Sequence, residues 1–224
     1  MNANNDNGQQ ESYILTISKE LLNELPAEKF EGEIKVIDTE SDIAPAVEVL
    51  RSCGTIGFDT ETRPSFKKGT THIVSLLQLS TPEVCYLFRL NKTGLTQSLI
   101  SLLEDESITK IGLSTHDDFH NLQKLSALNP GGFIELQSFV KGFHIADNSL
   151  TKIYAIFFDK RISKGQRLSN WEADTLTPAQ QAYAALDAYA CIRIHAYLRE
   201  GGFDSSKSAY IHFPEEETSE DNEI

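Results

Sequence analysis

Several features that define particular protein classes are scarce in this chain of 224 residues. Its three cysteines, Cys53, Cys85 and Cys191, are scattered and form no CxxC pair. They therefore predict neither a disulfide framework nor a zinc–thiolate site, and they favour a reducing, cytoplasmic location. No run of eighteen apolar residues occurs, so we expect no membrane span. The first ten residues lack basic and apolar runs, so we expect no signal peptide there.

Positive charge is also scarce, with 20 Lys and Arg against 33 Asp and Glu and a formal charge of −13. Six of the acids lie in the last ten residues, and without them the chain still carries −7. Proteins that hold duplex DNA mainly by neutralising its phosphates are usually basic, so the composition speaks against a passive nucleic-acid binder. An enzyme that clusters carboxylates around metal ions tolerates this balance better.

The chain divides into three predicted parts. Residues 1–12 form a polar tail and residues 214–224 an acidic tail, both predicted to be disordered, and residues 13–213 form a single domain. Strands are predicted from alternating or short apolar runs, and the last two strands named in the next sentence are predicted to form a hairpin. These strands are Glu33–Ile37, Thr55–Asp59, Thr109–Gly112, and His72–Leu79 paired with Val84–Phe88.

Helical patterns fill much of the remaining sequence. The longest runs from Thr177-Pro178 to about Leu198, with Pro178 at the first position, where its missing N–H costs nothing. Ser41 is predicted to cap a helix over 43–51. Basic residues crowd Lys160–Arg167, which is predicted to be a loop. The other predicted helices cover 95–103, 117–128, 136–142 and 150–157, and the alternation of strands and helices predicts a layered α/β fold.

Acidic residues end the second predicted strand and begin the helix after the Thr109–Gly112 strand. Asp59 and Glu61 flank Thr60, and residues two apart on a strand share a face, so both carboxylates can reach one site. This triplet is weak evidence because it is common by chance. Asp118 falls in the first turn of a helix starting near His116, where an acid gains ~0.3–1 kcal/mol from the helix dipole. That gain from the helix dipole would by itself explain an acid at the position of Asp118.

Tyr183 and Asp187 lie four residues apart on the long helix and therefore side by side. Ala and Leu surround them almost all the way round the helix, and an Asp in such surroundings is costly to bury without a partner or a metal. The alternative, an exposed Asp187 beside a packed Tyr183, leaves little of the helix surface available. This pair favours a metal site over a purely structural role.

Taken together, Asp59-Thr60-Glu61, Gly112 with Asp118 and Leu122, and Tyr183-x3-Asp187 resemble the three motifs of the DEDD 3′–5′ exonucleases, in order and spacing. The tyrosine four before the last Asp is similar to the tyrosine branch, which includes ribonuclease D and the Werner-syndrome exonuclease domain. The other branch has a His five before that Asp, where Ala182 stands here. The resemblance covers about residues 30–200 and implies a ribonuclease H-like three-layer fold, with a mixed central sheet flanked by helices.

The resemblance also implies a mechanism with two divalent ions, Mg²⁺ or Mn²⁺, ~4 Å apart. It implies that Asp59 bridges both ions, that Glu61 and Asp187 complete the side of the attacking water, and that Asp118 reaches the other ion through water. Tyr183 would orient the water. The register from Gly112, and Leu122 four residues on, select Asp118 over its neighbour Asp117.

Further contacts are less defined. Thr60, Arg63 and Trp171 are candidate substrate contacts, since aromatic rings stack on bases and cations neutralise phosphates. For Trp171, the only tryptophan of the chain, we favour the alternative interpretation, in which it anchors its loop in the core. His116 and His120 echo a zinc motif, but no third ligand is evident, so we interpret them as a surface pair.

The expected partner is a single-stranded or 3′-ended nucleic acid, DNA or RNA, since nothing in these residues separates the two. No helicase motif is evident, so unwinding would need a partner such as a helicase. Two alternatives stay open. The chain could be an inactive binding module on the same fold, although a binder has no need of four clustered acids. It could also be a strand-transfer or endonuclease relative, against which the Tyr183–Asp187 pair argues.

Overall fold

The computed structural model describes residues 13–67 and 69–214. The two predicted tails, 1–12 and 214–224, lie outside the described residues except for Pro214. The strands are β1 Ile14–Leu15, β2 Glu33–Ile37, β3 Thr55–Thr62, β4 Val74–Ser80, β5 Val84–Phe88, β6 Thr109–Gly112, β7 Phe133–Glu135 and β8 Ile211–His212. The α-helices are α1 Lys19–Glu24, α2 Ile43–Ser52, α3 Leu90–Thr93, α4 Gln97–Glu104, α5 Thr115–Leu122, α6 Leu136–Lys141, α7 Leu150–Phe158 and α8 Pro178–Arg199.

Six strands form the central sheet in the order β2-β5-β4-β3-β6-β7. Strand β4 is antiparallel to both of its neighbours, while the pairs β2–β5, β3–β6 and β6–β7 are parallel. The sheet is therefore mixed, as expected. Strand β3 lies inside it and pairs with β6 only through Thr55–Gly57. Beyond Gly57, β3 no longer pairs with β6. The gap on this side of β3 lies beside the acidic residues of the strand.

Helices cover both faces of the sheet. On one face, α2, α4 and the end of α5 enclose a core that includes Leu50, Leu99 and Leu122. On the other face, α8 packs across β3, β4, β5 and β6. The first half of α8 and the fully buried Trp171 enclose a second core against β4 and β5. These three layers confirm the predicted architecture. Among the described residues, no helix combines the length and the hydrophobicity needed to cross a bilayer.

Most predicted elements are present, with differences at their ends. The helix predicted over 117–128 starts at Thr115 and stops at Leu122, after which the chain forms irregular turns. The prediction that Ser41 caps α2 is wrong, because Ser41 lies within a 3-10 turn, Glu40–Asp42, that leads directly into the helix. Lys160–Arg167 is an irregular loop, as predicted. The start of α8 is also confirmed, since Thr177 forms a capping box with Gln180.

Candidate metal centre

Three carboxylates from two elements meet on the face of the sheet covered by α8. Asp59 and Glu61 extend from β3, and Asp187 extends from α8. One oxygen from each lies within 4.8 Å of the others. Glu61 and Asp187 are buried and Asp59 is partly exposed. The structure therefore brings together three of the four acids that the sequence analysis singled out, and like charges so close repel unless protons or cations neutralise them.

Small residues allow α8 to approach β3 this closely. A Cβ atom added at Gly57 would lie only 2.0 Å from the carbonyl oxygen of Ala188, so nothing larger than glycine fits there. Gly57 is two residues before Asp59 on the same strand, and Ala188 is the residue after Asp187. The contact that requires the glycine is therefore the contact that sets the distance between the two carboxylates.

Tyr183 lies one turn before Asp187, with its side chain half-buried above the packed Trp171 ring. The two ring centroids are 6.1 Å apart and the planes are tilted by 32°. Trp171 is fully buried. A base therefore has no exposed indole face to stack on, and the prediction of Trp171 as a substrate contact is wrong. The structure supports the alternative, in which the indole packs in the core and supports the Tyr183 ring.

Asp118, on α5, approaches the site from the side of β3 that no longer pairs with β6. The Thr60 side chain donates its hydroxyl hydrogen to Asp118 Oδ1, so the residue between Asp59 and Glu61 positions the fourth acid. Asp118 is not one of the three carboxylates within 4.8 Å of one another. The neighbouring Asp117 has a side chain that is 94% exposed, so it faces away from the site.

A carboxylate from another strand positions the start of α5. Glu135, the last residue of β7, accepts hydrogen bonds from the backbone N–H groups of Ser114 and Thr115, both at 2.9 Å, and from the Thr115 hydroxyl at 3.1 Å. An acid here satisfies donors that a helix leaves free and complements the helix dipole. Glu135 therefore fixes the turn that presents Asp118, although no motif in the sequence marks it.

Burial and mutual repulsion shift the acids strongly toward their neutral forms. Burial is the largest cause for each, and it raises the pKa of Glu61 to about 9, of Asp187 to about 7 and of Asp118 to about 6. The pKa of Asp59 lies well above its usual range, because of burial first and then the charges of Asp187, Asp118 and Glu61. The pKa of Tyr183 is also raised, by burial and then by Asp187.

Two cations of the basic loop act on these acids. The charge of Arg167 lowers the pKa of Glu61, and that of Lys164 lowers the pKa of Asp187, against the larger effect of burial. Arg63, just after β3, donates from Nη1 to Glu172 Oε2 at 3.0 Å, and His72 Nδ1 lies 2.9 Å from the other oxygen of Glu172. Arg63 therefore lies beside the site, and one of its guanidinium nitrogens is bound to Glu172.

Gln78 is a second residue that the sequence analysis missed. It pairs directly with Asp59 across β3 and β4, so the two side chains share a face of the sheet. Gln78 is fully buried, and neither atom of its amide has a hydrogen-bond partner among the described residues. No local signal in the sequence marks Gln78, because a single glutamine in an apolar strand is ordinarily interpreted as a residue that faces solvent.

Outside the site, His116 and His120 are exposed, as the surface-pair interpretation predicts. The motif residues thus occupy one centre made from β3, α5 and α8. Comparison with known proteins adds a family to this geometry, since residues 34–201 match the family model described as 3′–5′ exonuclease. The chain belongs to the 3′–5′ exonuclease family. The resemblance to the tyrosine branch is confirmed.

Named relatives agree with this membership. The mouse bifunctional 3′–5′ exonuclease/ATP-dependent helicase WRN is 32% identical over 193 residues, which are 81% of this chain and 14% of the relative. A 3′–5′ exonuclease from Arabidopsis thaliana is 28% identical over 173 residues, which are 75% of this chain and 58% of the relative. The chain thus spans less than two thirds of either relative.

Solved structures share the fold of this exonuclease-family domain. The Nibbler EXO domain of Aedes aegypti superposes with a TM-score of 0.69 at 20% identity, covering 80% of this chain and 96% of that one. Escherichia coli RNase D gives a TM-score of 0.67 at 23% identity, over 75% of this chain and 44% of that one. The ribonuclease H-like fold that the motifs imply is therefore confirmed.

Proposed function

We propose that this protein is a 3′–5′ exonuclease that uses two divalent metal ions, Mg²⁺ or Mn²⁺, to hydrolyse the terminal phosphodiester of DNA or RNA. The observation that carries the proposal is the cluster of Asp59, Glu61 and Asp187, with Tyr183 one helical turn from Asp187. A structural role does not account for it, because three clustered acids with raised pKa values destabilise a fold that gains nothing else from them.

The donor set fits small, hard cations. Every ligand atom in the cluster is a carboxylate oxygen, the donor type that Mg²⁺ and Mn²⁺ prefer over softer-ligand metals. Asp59, Glu61 and Asp187 would hold the ions, with the help of Asp118, which accepts a hydrogen bond from Thr60. Bound divalent ions would supply the positive charge that offsets the charge developing on the phosphate and the leaving oxygen.

Tyr183 would position the attacking water. Its pKa is raised above the usual value of ~10, so the phenol stays protonated at neutral pH and acts as a hydrogen-bonding group, not as a base. In the reaction the water oxygen bonds to phosphorus, the bond between phosphorus and O3′ breaks, and O3′ leaves with a proton. The products are a nucleoside 5′-monophosphate and a strand shorter by one nucleotide.

The substrate proposal covers both nucleic acids. Relatives at this level of similarity include enzymes whose names specify an exonuclease joined to a helicase and an RNase. For duplex substrates the proposal includes a helicase partner, since the name of the mouse relative joins an exonuclease to an ATP-dependent helicase. Arg63 would contact a phosphate, and Thr60 would act mainly through Asp118.

The test is shortening of 5′-labelled oligonucleotides of matched DNA and RNA sequence, with Mg²⁺ and with Mn²⁺. We expect a ladder that starts at the 3′ end and disappears when EDTA removes the metal. Asp59→Ala should abolish the ladder while leaving the circular dichroism spectrum unchanged. Intact label in both metals, from a protein that is folded, would refute the activity and leave a binding module on the same fold.

A further inference from the structure

One polar side chain is enclosed in the apolar layer between the sheet and α8. Gln78, in β4, is fully buried, and neither its amide nitrogen nor its amide oxygen has a hydrogen-bond partner among the described residues. Most buried polar atoms in proteins are paired, because a buried amide without a partner destabilises the fold. The presence of Gln78 in this layer is therefore not explained by stability.

The surroundings of Gln78 favour one direction for a polar contact. Within the sheet it lies opposite Leu87 of β5 on one side and opposite Asp59 of β3 on the other. Ala184 and Ala185 of α8 pack in the same core as Leu87 and cover this part of the sheet. Opposed residues of an antiparallel pair have Cβ atoms ~4.5–5.5 Å apart, so a glutamine amide is long enough to reach the carboxylate opposite it.

Asp59 has less support from its neighbours than the other acids of the centre. Cations of the basic loop act on Glu61 and Asp187, and the Thr60 hydroxyl donates to Asp118. Burial and then the charges of the other three acids raise the pKa of Asp59, and the backbone N–H of Thr60 acts in the opposite direction. A neutral side-chain donor opposite Asp59 would hold its carboxylate in one orientation without adding a cation that competes with the metal.

We propose that Gln78 is a positioning residue of the metal centre, and that its Nε2–H group donates a hydrogen bond to the carboxylate of Asp59 when that carboxylate holds the ions. This rests on the proposed function and adds one residue to the same centre. Carboxylates that bind metals are themselves held by hydrogen bonds, which fix the orientation of their oxygens. Because Gln78 is fully buried, it orients Asp59 from within the core, as Thr60 orients Asp118 from the strand edge.

The first test compares Mn²⁺ binding, by isothermal titration calorimetry, with thermal unfolding in EDTA for Gln78→Met. Methionine is also unbranched and adapts to a core position, so the change removes mainly the amide. We expect Mn²⁺ binding to weaken about 10- to 100-fold. The melting temperature in EDTA should equal or exceed that of the wild type, because a buried amide without a partner is lost. A lower melting temperature in EDTA with unchanged Mn²⁺ affinity would show a structural role and overturn the proposal.

Ser80→Ala is the matched control. Ser80 is also fully buried on β4 and, two residues from Gln78, lies on the same face of the sheet. It is opposite Gly57, and its hydroxyl donates to the backbone carbonyl of Thr81 at 2.8 Å. Mn²⁺ binding by Ser80→Ala should therefore match that of the wild type. An equal loss of affinity in the two variants would overturn the proposal, because packing of β4 would then account for both.

A second measurement observes the hydrogen bond in the unaltered protein. The side-chain NH₂ signals of Gln78 are assigned in ¹⁵N NMR spectra as the pair that Gln78→Met lacks. On addition of Mg²⁺, which is diamagnetic, one of the two protons should move downfield as it becomes the donor to Asp59, so that the separation of the pair increases. Signals that do not respond to Mg²⁺, or two protons that shift together, would overturn the proposal.

The role of Gln78 and the proposed function fail in different ways. A protein whose Mn²⁺ affinity depends on Gln78 but which does not shorten an oligonucleotide contradicts the exonuclease activity and retains the role of Gln78. A protein that shortens the oligonucleotide but binds Mn²⁺ equally well as Gln78→Met retains the activity and contradicts the role of Gln78. A folded protein that binds no Mn²⁺ contradicts both.

Discussion

Asp187 is the residue whose surroundings say most about the site. It is buried in the alanine-rich first half of α8 and has two other carboxylates as neighbours. At this scale, sequence reasoning depended on one physical rule, that an acid in an apolar helix face needs a partner. The same rule could not find Gln78 or Glu135, since Gln78 lies opposite Asp59 on another strand and Glu135 contacts the start of α5 from β7, and both are tertiary contacts without a local pattern.

Tyr183→Phe tests the role of the phenol. The ring and its packing on Trp171 remain, and only the hydroxyl is lost, so we expect unchanged thermal stability and a kcat about 100-fold lower, within the usual range for a positioned proton-transfer or water-orienting group. Single-turnover rates on a labelled oligonucleotide would measure this. Weaker oligonucleotide binding with an unchanged rate would instead assign Tyr183 to substrate contact.

The raised pKa values of the acids predict how the metal-free protein responds to pH. Glu61, with a pKa of about 9, and Asp187, with a pKa of about 7, keep protons in the folded state that the unfolded chain releases above pH values of about 4.5 and 3.8, respectively. The folded state therefore binds more protons, and its free energy of unfolding falls as pH rises toward about 9, by roughly 1.4 kcal/mol per pH unit for each retained proton.

Thermal unfolding in EDTA between pH 5.5 and 8.5 measures this dependence. Mg²⁺ or Mn²⁺ should remove most of it and should raise the melting temperature most at high pH, where the carboxylates are free to bind cations. A melting temperature that rises with pH in EDTA would contradict the protonation of the empty site.

At the scale of elements, patterns in the sequence predicted those whose local signal is strong. The hairpin β4–β5 has two β-rich apolar runs separated by a turn, and helix α8 has a capping box, and all of these signals are local. The pairing of β1 with β8 was missed, because it joins residues about 200 apart and each strand has only two residues. The start of α5 was predicted nearly correctly, but its support by Glu135 from β7 is a tertiary contact and left no pattern to detect.

Gly57→Ala tests the close approach of α8 to β3. The added methyl would lie 2.0 Å from the backbone of α8, so we expect a loss of about 1–3 kcal/mol of stability or more and the loss of the metal centre, since the helix must move away. Gly142→Ala is the control, because its Cβ would meet nothing closer than 3.6 Å. Urea unfolding and metal titration of both variants check this, and equal behaviour would contradict it.

Glu135→Ala tests whether the start of α5 positions Asp118. Loss of three hydrogen bonds at the helix start should lower activity about 10- to 100-fold, as for other residues that orient metal ligands, and stability by about 1 kcal/mol. Asp117→Asn is the control, since its side chain on the same turn is 94% exposed. If Asp117→Asn were the more damaging change, Asp117 and not Asp118 would be the acid that serves the site.

At the scale of the whole molecule, a strongly acidic chain places several cations near its acidic centre. Arg63 and Lys67 follow β3 and line one groove, while Lys164 and Arg167 lower the pKa values of the clustered acids. If all four cations contact phosphates, affinity for a single strand should fall with salt at a log–log slope of about −3, or about 50-fold between 50 and 200 mM salt. Anisotropy titrations across that range measure it. A slope near zero would show that these cations do not contact phosphates.

The buried Asp187 also has a consequence for protein engineering. An empty site with several acids on one apolar face is frustrated, so variants that replace one of these acids by a neutral residue should gain stability as they lose function. Selection of this chain for heat tolerance without selection for activity would therefore erode the centre first. The residues whose substitution increases stability would therefore identify the site.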